Sequence, residues 1–85
     1  MHYKGYELAP AAQILASGLY AATLTIERVA SAPTQTYAFD KLDFFFEADH
    51  AIAYASRWAR IWVDEQLRTR AQLPSEDGSY LAQSN

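Results

Sequence analysis

Any chemistry in this chain of 85 residues has to start from one of three constellations. His50 follows Glu47 by three positions, so on a helix the carboxylate could orient the imidazole, as acid–base and metal sites require. Two ligands do not make a site. Position 54, one turn on, is tyrosine, the other histidine is His2, and no H-E-x-x-H spacing occurs. The pair reads as a solvated first-turn histidine beside a carboxylate.

Asp40, Asp43 and Glu47 form the second constellation, acids spaced by three and four. A calcium-type loop needs closer oxygen ligands and a turn glycine, and neither is present. These charges read instead as solubilising groups that guard a very hydrophobic strand from edge pairing. No Gly-rich phosphate loop or nucleophile elbow is found. The expectation is a non-enzymatic protein with no catalytic residue, no metal and no cofactor.

The third constellation is basic. Arg57, Arg60, Arg68 and Arg70 fall within fourteen positions, and Arg57, Arg60 and Arg68, with Tyr37 and Phe45 expected as exposed aromatics nearby, offer the mixture of guanidinium and ring that suits nucleic-acid strands. Arg57, Arg60 and Arg68 are the candidate nucleic-acid contacts. However, Arg60–Asp64 and Asp64–Arg68 are i, i+4 pairs, the usual dressing of a solvated helix face. The net charge of −3 also gives the long-range field the wrong sign for a broad nucleic-acid or anionic-membrane surface.

The elements that must carry these residues follow from composition and period. At 51% apolar and 14% aromatic the chain is rich enough in contact area to fold as one small domain. With no cysteine it makes no demand on an oxidising compartment. No stretch approaches the ~18 apolar residues of a membrane span, and "MHYKGYELAP" lacks a basic segment followed by an apolar run. A cytoplasmic protein is expected.

Tyr3–Ala9 alternates weakly and is expected to end at Pro10, which cannot donate to a ladder. Ala11–Ala16 is either a short strand or an irregular connection before the Ser17-Gly18 turn. Leu19–Val29 is the clearest strand, with Tyr20, Ala22, Leu24 and Ile26 on one face and Thr23, Thr25 and Glu27 on the other. In "TYAFDKLDFFF" the odd-numbered Tyr37 and Phe39 precede the even-numbered Leu42, Phe44 and Phe46. Both sets reach one core only through a one-residue slip, expected as a bulge or bend at Asp40-Lys41. The alternative is two short strands in two small sheets.

From about Ala48 the period becomes helical. Ala48, Ala51, Ile52, Ala55, Ala59, Trp62 and Val63 share one face. The predicted fold is α+β: an antiparallel sheet of three to four strands, either single or split in two, packed on one long helix. The single domain spans residues 1–70, and a flexible tail spans 71–85.

The helix carries more apolar surface than that sheet can cover. Tyr54, Trp58 and Ile61 recur at i, i+4, i+7, displaced by about 90° from the sheet-facing stripe. Cover could come from the tail, from a strand end or loop, or from an identical chain across a two-fold axis. These three residues form the expected interaction surface of a homodimer or of a subunit in a larger assembly.

The run "YAFDKLDFFFEADHAIAYASRWARIWVDE", preceded by "YKGYEL", resembles a group of short bacterial proteins of unknown function. In that group a glycine-aromatic strand, a Phe-rich strand and an Ala-rich helix ending in an aromatic-aliphatic-aspartate step follow in order. The resemblance covers about residues 3–65 and implies a β-rich N-terminal part followed by one helix, with no activity. Glu47 stands where a small hydroxyl residue would be expected to cap the helix. The order of elements is similar, as fold analogy only, to the antitoxin-type HicB half-domain.

Overall fold

The computed structural model describes residues 1–29 and 32–72. Strands β1 (His2–Tyr3), β2 (Tyr6–Ile14), β3 (Tyr20–Arg28), β4 (Gln35–Phe39) and β5 (Phe44–Phe45) precede a single helix, α1 (Ala48–Gln72). All pairings are antiparallel. The order is β1-β2-β3-β4, and β5 also pairs with β3. The fold is therefore α+β, with one continuous sheet on one helix. Of the tail expected at 71–85, residues 71–72 instead continue α1, and 73–85 lie outside the described residues.

The first turn differs from the expectation of one strand over Tyr3–Ala9. Tyr3 pairs with Tyr6, and Lys4 and Gly5 between them have φ of 51° and 87°. Two consecutive left-handed residues are the signature of a two-residue hairpin whose twist matches the flanking strands. Gly5, which weakens a strand reading, is what closes this hairpin. At the second turn Gly18 has φ of 91° and donates to the Leu15 carbonyl at 2.9 Å.

Pro10 does not end a strand. It lies inside β2 opposite Leu24. The hydrogen-bonding parity explains why: Val29 donates to Gly5 and Leu15 donates to Leu19, so odd-numbered β2 residues bond to β3. Even-numbered residues turn their N–H groups away, and Leu8 donates to Met1 at 2.7 Å. Pro10 is the next even position, and β1 pairs only with Tyr6 and Glu7, so its missing donor falls on an open edge where nothing needs it.

The expected irregularity at Asp40-Lys41 is present, but its size differs. Ala22 and Thr23 of β3 lie between the pairs Leu24–Phe39 and Ala21–Phe44, while Asp40–Asp43 lie between them on the other strand. Leu42 donates to the Ala22 carbonyl and Ala22 donates to that of Asp43, the two-against-one arrangement of a bulge. Lys41 reaches φ of 55°, and an Asp43 carboxylate oxygen accepts the Phe44 N–H at 2.8 Å. Two residues are accommodated instead of one, so side-chain parity is kept. Phe45, opposite Tyr20, faces the helix with Tyr37 and Phe39, while Phe44 and Phe46 are 48% and 87% exposed. The expectation that Phe44 and Phe46 turn inward is corrected on this point, and so is the exposure expected of Tyr37 and Phe45, both half-buried.

The core lies between α1 and the β2–β3 pair. Tyr6, Leu8, Ala22, Leu24 and Ile26 from the sheet meet Ala51, Ala55, Ala59 and Val63 from the helix, and those four helix residues have no exposed surface. The contact follows the i, i+4 row, which is inclined to the helix axis by about 26°. Ile52, off that row, is left 39% exposed. Alanine at three of the four seam positions brings the helix backbone close to the sheet. Wider side chains must then reach sideways to cover β4 and β5.

Candidate protein-contact surface on the helix

That sideways reach is made by aromatics. Trp62 packs tilted against Tyr37 with ring centroids 4.9 Å apart and meets Tyr6 edge-on at 6.0 Å. Trp58 lies 4.8 Å from Phe39, and Tyr54 lies 5.3 Å from Phe45. These tilted and edge-on arrangements match the ring quadrupoles and add to what area burial alone supplies. The three helix residues stand four apart, so they form one row along α1. Each is half-buried, with the inner flank on the chain's own sheet and the outer flank in solvent.

Of the expected contact residues, Tyr54 and Trp58 are thus covered in part by β5 and β4. Ile61 is not: it is 61% exposed. Beside it lies a groove of about 240 Å³ lined by Trp58, Ile61, Trp62, Glu65 and Gln66. Trp62 belongs to this surface although its place on the sheet-facing stripe reads as core. The available signal was its i, i+4 relation to Trp58.

The arginines do not act as one group. Arg60 is half-buried and donates to the Ser56 hydroxyl at 2.9 Å, and Arg68 is ion-paired with Glu65. Arg57 is exposed and has no partner among the described residues. Neither expected i, i+4 pair with Asp64 forms. Asp64 instead accepts from Lys4 Nζ at 2.9 Å and from the Tyr3 hydroxyl at 3.0 Å, tying the first hairpin to the helix. The Lys4 hydrogen bond, then that of Tyr3, holds the Asp64 carboxyl below its ordinary range, and Asp64 raises Lys4.

Glu47 and His50 come within 3.8 Å, both exposed. Among the described residues no group of three His, Cys, Asp or Glu side chains is placed to hold a metal ion. No helix among them is long and apolar enough to cross a membrane. Comparisons with protein-family models, curated proteins and solved structures find no match to this chain, so the observed sheet-then-helix order is what stands of the resemblance.

Proposed function

We propose that this chain is a small non-enzymatic domain that acts through protein–protein contacts, as a homodimer or as a subunit of a larger assembly. Tyr54, Trp58 and Ile61 are its contact surface, with Trp62 as the groove's second wall. A cytoplasmic setting suits a chain without cysteine. Kinship with short bacterial proteins of the same element order is part of the same proposal.

The observation that carries this reading is Ile61, an aliphatic side chain 61% exposed at the rim of a groove walled by two indoles. Tryptophan and tyrosine beside an aliphatic residue supply large contact area at low entropic cost, the composition of energetically dominant interface positions. Light scattering on a size-exclusion column tests it. A mass above that of one chain, lowered by Ile61→Asp and by Trp58→Ser, is expected. A mass indifferent to both substitutions would dispose of the reading.

The nucleic-acid alternative, through Arg57, Arg60 and Arg68, draws less support because two of the three guanidinium groups are engaged within the chain. It requires salt-sensitive binding of single-stranded oligonucleotides that is lost in Arg57→Glu/Arg60→Glu.

A further inference from the structure

Tyr54, Trp58, Ile61, Glu65 and Arg68 follow one another at spacings of four, three, four and three along α1. That alternation is the seam by which one helix meets another along its length. At 100° per residue these five lie within about 80° of one another, with Arg57 on their flank. The buried row of Ala55 and Ala59 is turned well away from them. A second helix can therefore approach without disturbing the core.

The charges on this seam are ordered. Arg57 lies four residues before Ile61 and Glu65 four residues after it. Two copies laid side by side in parallel would set Arg57 against Arg57 and Glu65 against Glu65. Laid antiparallel about a two-fold axis at Ile61, they set Arg57 of each copy against Glu65 of the other, twice over. The same register sets Arg68 against Tyr54, a guanidinium over a ring, and brings Glu65 to the indole N–H of Trp58. Arg57 and that N–H have no hydrogen-bond partner among the described residues, so both donors are available, whereas Glu65 and Arg68 are ion-paired with each other in the single chain and must share or exchange that bond on association.

We infer that the occupant of this surface is a second copy of the same chain, its α1 packed antiparallel about a two-fold axis at Ile61 and held in register by reciprocal Arg57–Glu65 pairs. This rests on the reading of Tyr54, Trp58 and Ile61 as a contact surface. Opposite charges across an interface fix register, and like charges in the same place oppose it.

The test is a charge exchange followed by sedimentation equilibrium. Arg57→Glu and Glu65→Arg are each expected to weaken self-association by about tenfold or more. An equimolar mixture of the two variants should form heterodimers, because each then presents the charge the other lacks, and the double variant should dimerise on its own. Circular dichroism and urea midpoints check that the singles are folded, as both positions are exposed. Association lost in Ile61→Asp but untouched by either charge change would overturn the register and leave the contact surface standing. Wild-type protein that sediments as a monomer at high micromolar concentration would overturn the second copy as occupant.

Discussion

Trp58 and Phe39 pack with ring centroids 4.8 Å apart at an interplanar angle of 58°, joining the helix to the outermost long strand of the sheet. Because the alanine seam lies over β2 and β3, β4 is held to the helix by rings more than by close backbone approach. Removing either ring should therefore loosen β4. Each of Trp58→Ala and Phe39→Ala is expected to cost about 1–3 kcal/mol, below the range for fully buried aromatics because both are half-exposed. A double-mutant cycle by urea denaturation should give a coupling of about 0.5–1.5 kcal/mol. Strict additivity would mean that the contact contributes nothing beyond burial.

Ala55 has no exposed surface, whereas Ala53 is exposed on the same helix. Leucine has the same helix propensity at both places to within a few tenths of a kcal/mol. Ala55→Leu must push the helix off the sheet and is expected to cost about 1–3 kcal/mol or more. Ala53→Leu should stay within about 0.5 kcal/mol of wild type. Thermal or urea midpoints compare them directly.

The parity of β2 makes proline a probe of its two edges. The Ala11 N–H points toward β3, opposite Thr23, and the Ala12 N–H points to the open edge. Ala11→Pro removes a ladder donor and leaves a carbonyl unsatisfied, at an expected cost of about 1–3 kcal/mol. Ala12→Pro, with the same geometry as Pro10, should be much milder. Equal losses would contradict the register.

Asp64 and Lys4 give the fold a defined pH dependence. The folded carboxyl of Asp64 titrates below its ordinary 3.8, so its contribution is complete above that value and is lost as pH falls through the depressed one. Lys4 titrates above its ordinary 10.5, so its contribution is complete below that value and is lost as pH rises through the raised one. Both groups are solvent-exposed and the effect is small. Asp64→Asn should be less stable than wild type at neutral pH, and the difference should shrink as pH drops below 3.8. Urea midpoints across the acid range measure it, and a constant difference would remove Asp64 as the cause.

Much of this arrangement was legible from residue types. The Tyr20, Ala22, Leu24, Ile26 face, the helix start at Ala48 and the buried alanines all follow from periods of two and 3.6, which report burial directly. What misled was punctuation. Pro10 read as a break and Gly5 as a position within one strand, because a linear pattern does not say which strand edge is open or that Lys4 would join Gly5 at positive φ. The inward choice among Phe44, Phe45 and Phe46 depends on how many residues a bulge absorbs, a count that alternation alone leaves free. On the candidate surface, Tyr54, Trp58 and Ile61 stood out by spacing. That Trp58 would rest on Phe39 while Ile61 stayed open depends on how far β4 lies from the helix.

The Asp40–Asp43 segment has a bearing on how this chain can change length. Adding or deleting residues there in twos leaves Phe45 under Tyr54, while a single-codon insertion or deletion would trade Phe45 for one of its solvent-facing neighbours and carry the error into the helix start three residues on. Variants of this protein that keep the fold should therefore differ at this point by even numbers.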